Sequence, residues 1–129
     1  MTPLDIARQP IDRFIQAVNA GDAEAAQRHV APEGRLVFPG PVTFHRVADF
    51  LALSGPRYQR VGYTYSAMEL AQPEGRTVVY AQGTVAGVFA NGTAFDNVRY
   101  IDRFEIRDGL IVSKEVWSDM ADLMRRLGL

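Results

Sequence analysis

From Asn97 to Arg107 the chain alternates strictly and then turns on Asp108-Gly109. Val98, Tyr100, Phe104 and Ile106 share one register, and the other reads Asn97, Arg99, Ile101, Arg103, Glu105, Arg107. A period of two marks a strand with one face on a core and one on water. Asp-Gly is a strong signal for a tight hairpin, and Asn91-Gly92 is a second one upstream. The pattern predicts long strands over about Tyr58 to Ala71, Thr77 to Ala90 and Ala94 to Arg107, then a last strand from Leu110 to about Trp117. Pro73-Glu74-Gly75 is the first of the intervening turns. Four strands joined by tight turns form an antiparallel meander, and its apolar face needs a cover.

The N-terminal half supplies that cover. Ile6, Ile11, Phe14, Ile15 and Val18 recur at helical spacing, with Thr2 as cap and Pro3 in the first turn. Pro10 lies inside the pattern, so the helix is expected to begin near it or bend there. Asn19-Ala20-Gly21 stops it, and Asp22 caps a second helix through about Val30. Pro32-Glu33-Gly34 reads as a turn, Arg35 to Phe38 as a short strand, and Thr43 to Leu53 as a third helix. Asp119 caps a short C-terminal helix carrying Leu123, Met124 and Leu127. Helices segregated to one side of a curved antiparallel sheet make an α+β fold, and residues 1–129 read as a single domain of it. A curved sheet wrapped over helices leaves a cavity at its open end, where ligands bind.

Composition narrows the function classes. A net charge of −1 gives no basic footprint for nucleic acid and no polybasic patch for a membrane. The absence of cysteine removes disulfides, thiolate metal sites and cysteine nucleophiles. Two distant histidines and scattered acids offer no metal-ligand spacing, so no metal is expected. There is no glycine-rich phosphate loop after a strand, so no nucleotide or other cofactor is expected, and without a Ser-His-Asp signature no acyl-transfer enzyme is expected. The N-terminus lacks the pattern of a signal peptide and no apolar run is long enough to span a bilayer, so a cytoplasmic protein is expected.

Asp102 interrupts the apolar register between Tyr100 and Phe104. A carboxylate there is costly unless it is paired, hydrogen-bonded or protonated. Two readings follow: an acid that hydrogen-bonds a ligand oxygen, or a structural carboxylate tied to a neighbouring Lys, Arg, Tyr or backbone N–H. A simple two-residue turn at Asp108-Gly109 sets Asp102 opposite Glu115, with Ile111, Ser113 and Trp117 on the same face. A bulge would turn Lys114 and Val116 inward instead. The pattern leaves both registers open. His45, after the Pro39-Gly40-Pro41 loop, is either a base near neutral pH or an exposed residue of a helix's first turn. His29 reads as a structural residue near a helix C-terminus. Tyr63 and Tyr65 read as core or interface.

The segments Phe14 to Asp22, Tyr100 to Gly109 and Trp117 to Gly128 resemble the nuclear transport factor 2-like superfamily, in particular its SnoaL-like domains. The resemblance implies a cone-shaped α+β barrel, with three N-terminal helices packed on a curved antiparallel sheet and a short C-terminal helix. Ketosteroid isomerases of that superfamily carry a tyrosine where this chain has Phe14, an aspartate base where it has Phe38, and a neutral aspartic acid at Asp102. SnoaL-like cyclases carry an acid where this chain has Val116. The comparison also places Tyr80, Gln82 and Thr84 on the inner wall and leaves Val79, Gly83, Val85 and Gly87 outside, next to Arg99 and Ile101. The implied reading is a pocket for a small, largely apolar, oxygenated ligand. Asp102, His45 and Tyr80 would be the catalytic candidates, and Phe14, Phe38, Gln82, Tyr100, Val116 and Trp117 the lining. Proton transfer, as in isomerisation, dehydration or cyclisation, is the reaction type implied; a non-catalytic binding or assembly protein of the same fold is the alternative. A homodimer through the outer sheet face is expected as well.

Overall fold

The computed structural model describes residues 1–129. Helix α1 (Pro3–Asn19) starts at a reciprocal cap: the Thr2 hydroxyl accepts from the Asp5 N–H at 3.1 Å, and the Asp5 carboxylate accepts from the Thr2 N–H at 2.9 Å. This cap sets the start ahead of Pro10, so the helix neither begins nor ends at that residue. Pro10 sits inside it, buried alongside Ile11, Phe14 and Val18.

Helix α2 (Ala23–Gln27) is capped by the Asp22 carboxylate but is shorter than the sequence predicts. Val30 already belongs to strand β1 (Val30–Phe38), where it pairs with Ile111. Pro32-Glu33-Gly34 is an irregularity within β1, where the pairing slips between Val30 and Arg35. A second correction concerns Val42–Phe44, which forms strand β2 and not the start of a helix. Val, Thr and Phe favour a pleated surface, and the Pro39-Gly40-Pro41 turn folds them back so that Phe44 pairs with Leu36. Helix α3 (Val47–Ser54) therefore begins later, with the Val47 N–H donating to the Gln27 side chain at 2.8 Å.

The meander follows as β3 (Tyr58–Ala71), β4 (Thr77–Phe89), β5 (Ala94–Arg107) and β6 (Leu110–Ser118), and α4 (Met120–Arg126) closes the chain. The sheet order is β2-β1-β6-β5-β4-β3. It is mixed, not wholly antiparallel, because β1 runs parallel to β6. The Asp108-Gly109 turn has both residues at positive φ, 54° and 74°, as the tight hairpin requires.

The sheet coils into an open cone around α1. Two bulges in β3, after Tyr58 and after Tyr65, bend that strand. Gly83 is needed where β4 meets it: a Cβ there would lie 1.9 Å from the Thr64 carbonyl oxygen. The concave face carries Val79, Ala81, Val85, Phe104, Ile106 and Ile111, all buried. This inverts the expectation for β4. Residues directly opposite in a ladder share a face, and Ala81 is opposite Asp102, Gly83 opposite Tyr100 and Val79 opposite Phe104. Tyr80 and Gln82 consequently point to the convex side. No helix is long and apolar enough to cross a membrane.

Candidate functional site

The concave face, α1, α3 and α4 enclose a cavity of about 600 Å³, within the usual range of small-molecule sites. Most of its wall is apolar. Phe14 and Val18 come from α1, and Phe38 stacks on Phe50 at 4.2 Å between ring centroids. Tyr58, Val85 and Tyr100 line the opposite side, and Met120 and Met124 of α4 close it. The guanidinium-bearing Arg57 and Arg125 also border it and are otherwise exposed.

Into this wall the sheet sets one acid and one amine. Asp102 is 1 % exposed and Lys114 is 7 % exposed. They meet because β6 carries an extra residue, Val112. Ile106 pairs with Ile111, but Glu105 pairs with Ser113, Phe104 with Lys114 and Asp102 with Val116. That single bulge selects the register with Lys114 and Val116 inward and sends Glu115 outward, where it pairs with Arg35. The Lys114 Nζ lies 3.6 Å from the Asp102 Oδ2 and 4.9 Å from the centroid of the Phe38 ring. The Tyr65 hydroxyl donates to the same Oδ2 at 2.6 Å. The other oxygen, Oδ1, is buried without a hydrogen-bond partner. Nearly all buried polar atoms are satisfied, so an orphan carboxyl oxygen on a residue that lines a cavity marks a place for a hydrogen-bond partner from a ligand.

Electrostatics push both groups toward their uncharged forms. Burial raises the Asp102 carboxyl above the ordinary carboxylate range, against the opposing pull of Lys114 and the Tyr65 hydroxyl. Burial lowers the Lys114 ammonium below the ordinary lysine range, against the opposing effect of Asp102. Tyr65 is pushed well up, by burial first and then by the adjacent Asp102. Tyr63 and Tyr100 are raised chiefly by burial as well. The arrangement can hydrogen-bond a carbonyl or hydroxyl oxygen through Asp102, and it presents a basic nitrogen beside it.

The structure brings together only part of the predicted site. Asp102, Phe14, Phe38, Tyr100 and Val116 all line the cavity. His45 does not. It is exposed, with its Nδ1 3.3 Å from the Gly34 carbonyl oxygen, because the strand β2 that precedes α3 carries it to the outside of the sheet edge. Tyr80 is 43 % exposed on the convex face, Gln82 is exposed beside it, and Trp117 is 54 % exposed. Trp117 borders a separate depression of about 370 Å³ with Pro39, Pro41 and Glu115. None of these three side chains reaches the cavity, since each stands opposite a convex-face neighbour: Tyr80 opposite Arg103, Gln82 opposite Ile101, Ile101 opposite Trp117. Lys114 and Tyr65 are the residues that sequence reasoning left undecided or assigned to the core. A usable signal existed for β4: a two-residue turn at Asn91-Gly92 itself pairs Ala81 with Asp102. The structure reaches that same register through a longer turn, offset by an extra residue near Asn97, at φ 51°. No group of three or more His, Cys, Asp or Glu side chains is placed to hold a metal ion.

Comparison with known proteins agrees with this geometry. The model of a SnoaL-like domain family matches residues 11–114. Among solved structures, a candidate polyketide cyclase from Xanthomonas campestris superposes with a TM-score of 0.80 at 21 % identity, covering 95 % of this chain and 97 % of the other. A Catenulispora acidiphila protein with a ketosteroid isomerase-like fold, in complex with trimethylamine, gives 0.80 at 16 % identity, covering 100 % and 95 %. TerC, co-crystallised with polyporic acid, gives 0.75 at 18 % identity, covering 96 % and 99 %. No curated protein matches the sequence significantly.

Proposed function

Because this chain belongs to the SnoaL-like family, within the nuclear transport factor 2-like fold, we propose that it binds a small, largely apolar, oxygenated molecule in the cone and moves a proton within it. The observation that carries this reading is the orphan Oδ1 of Asp102, buried in the wall of an apolar cavity. Protonated Asp102 donates to a substrate carbonyl or hydroxyl and stabilises the negative charge that develops there. Lys114, whose Nζ lies 3.6 Å from the Asp102 Oδ2, takes the proton from a neighbouring carbon. The reaction class is isomerisation, dehydration or cyclisation, in a cytoplasmic protein. The complex of TerC with polyporic acid is in keeping with an oxygenated ligand for this fold.

The test needs no knowledge of the natural substrate. Apolar ketones such as 2-tetralone are incubated with the protein in deuterium oxide, and loss of the α-proton signal is followed by NMR. The expected result is faster exchange with the wild-type protein than with Asp102→Asn by at least about tenfold, the lower range for a positioned acid or base. Exchange at the buffer rate by every ketone that stabilises the fold overturns catalysis.

That outcome would favour the second reading, a non-catalytic binding protein of the same fold. The phenylalanines Phe14 and Phe38 favour it, because they fill the wall with apolar surface where ketosteroid isomerases carry a tyrosine and a base.

We further propose that a second copy docks on the convex face. The surface differs from the one expected from sequence, since Val79, Gly83 and Val85 face inward. The exposed apolar side chains there are Tyr80, Ile101 and Trp117, and Ile101 stands directly opposite Trp117 across β5 and β6. Light scattering at tens of micromolar should give twice the chain mass, and Trp117→Glu should give the monomer; a wild-type monomer would remove the proposal.

A further inference from the structure

We propose that Lys114 is a nucleophilic amine that condenses with the carbonyl of an aldehyde or ketone held in the cavity, forming a reversible imine; this rests on the reading of the cavity as a site for an oxygenated apolar molecule. The sequence contains one lysine and thirteen arginines. Arginine stays charged at any accessible pH, whereas a lysine loses its proton readily when buried. The chain's single side-chain amine capable of deprotonation is thus neither on its surface nor among its exposed ion pairs. It is on the cavity wall, with its side chain 9 % exposed.

The surroundings suit that chemistry. The Nζ is flanked by the Phe38 ring at 4.9 Å and the Phe104 ring at 6.0 Å, so little water solvates an ammonium there. A desolvated lysine in an apolar pocket is an activated nucleophile toward carbonyl carbon. Asp102 is the proton carrier that condensation needs. Its Oδ2 lies 3.6 Å from the Nζ, and its Oδ1 has no partner in the protein.

The steps balance without an outside reagent. The Nζ lone pair attacks the carbonyl carbon, and the C=O π electrons move to oxygen, which takes the proton of the Asp102 carboxyl group. The resulting carbinolamine returns a proton from nitrogen to the Asp102 carboxylate. Asp102 then protonates the hydroxyl, which leaves as water while the nitrogen lone pair closes the C=N bond, and the iminium N–H returns its proton to the Asp102 carboxylate. The sum is carbonyl plus amine giving imine plus water, and the apolar wall slows the reverse hydrolysis.

The test uses the intact chain, 2-naphthaldehyde as probe and sodium cyanoborohydride to reduce any imine near neutral pH, with adducts mapped by peptide mass spectrometry. The other primary amine is the α-amine of Met1, an internal standard. The expected result is a naphthylmethyl adduct on Lys114 that forms at least about tenfold faster than on Met1, as binding beside the nucleophile provides. Excess 2-naphthalenemethanol, which lacks the carbonyl, should slow labelling of Lys114 by a similar factor and leave Met1 unchanged. Lys114→Met should lose the adduct; should that variant fail to fold, the competition experiment on the wild-type chain decides. If the alcohol raises the melting temperature but Lys114 stays unmodified while Met1 reacts, the imine is overturned and the pocket reading stands. If neither compound binds and Lys114 stays unmodified, both fall. Labelling of Lys114 that the alcohol does not slow also overturns the inference.

Discussion

The two faces of β5 and β6 handle opposite charges in contrasting ways. On the concave face, Asp102 and Lys114 are both buried and 3.6 Å apart, and the Tyr65 hydroxyl donates to Asp102. On the convex face, Glu105, three residues along β5 from Asp102, pairs with Arg76 at 2.7 Å, and Glu115, next to Lys114 on β6, pairs with Arg35 at 3.3 Å, with all four side chains in contact with water. The outer pairs have better geometry and matter less. Water already solvates those charges, so pairing them yields little. The inner pair has poorer geometry, and burial pushes its acid and its amine toward their uncharged forms.

The sharpest way to break this comparison is to remove one inner partner. Read by urea denaturation, Asp102→Asn should change stability by less than about 1 kcal/mol near pH 7, because a pair held as neutral acid and neutral amine leaves no buried charge to orphan. The double variant Asp102→Asn with Lys114→Met should likewise stay near wild type, since replacing both members of a buried pair is often near neutral. A single-variant loss of about 3 kcal/mol, the usual cost of orphaning a buried charge, would mean that the pair is ionised and would overturn the neutral-acid mechanism.

A backbone version of the same contrast lies on β4. Gly83→Ala on the concave side must move the Thr64 carbonyl, which would be 1.9 Å from the new methyl carbon. A loss of about 2 kcal/mol is expected, as for an overpacked core. Gln82→Ala, one residue along and exposed, should stay within about 0.5 kcal/mol of wild type.

Titration probes the pair more gently. The Lys114 ammonium has a lowered folded-state pKa, so between that value and the unfolded value of about 10.4 the unfolded chain holds more protons, and stability rises with pH across the window. The raised Asp102 pKa has the opposite slope: its contribution is full below about 3.9 and is lost as pH rises through the folded-state value. Wild-type protein should therefore gain stability on the alkaline side as pH rises toward about 10.4, and Lys114→Met should lack that gain. Identical slopes in the two proteins would contradict the assignment. The smallest effect belongs outside: Glu115→Gln, which breaks the pair with Arg35, should change stability by no more than about 0.5 kcal/mol, and less in high salt.

The sequence exposed the meander well because its signals are local. Alternation marked the strands, and Asn91-Gly92 and Asp108-Gly109 marked two of the turns. Asp102 stood out because a charge in an apolar register is visible without any structure. Two features were hidden for physical reasons. Lys114 depends on a one-residue bulge at Val112, and β-branched residues suit either register equally. The face of β4 was obscured because Val78 and Val79 are both fully buried, so alternation there does not identify the inside. Strand β2 escaped because three residues show no period, and its partner on β1 is set by tertiary pairing.

The parallel seam between β1 and β6 has a consequence for how the chain reaches its native form. Val30 pairs with Ile111 and Leu36 with Lys114, partners separated by most of the sequence, whereas the meander is built from neighbours. Long loop closures are slow and come after local pairing. The hairpins of β3 to β6 should form early, and the wall that carries Phe38 should join them late. On a ribosome, β1 waits for β6 to emerge before the amine and the aromatic ring that flanks it can meet. The pocket is then the last part of the molecule to be assembled, and slowing that seam should delay ligand binding more than it delays the appearance of secondary structure.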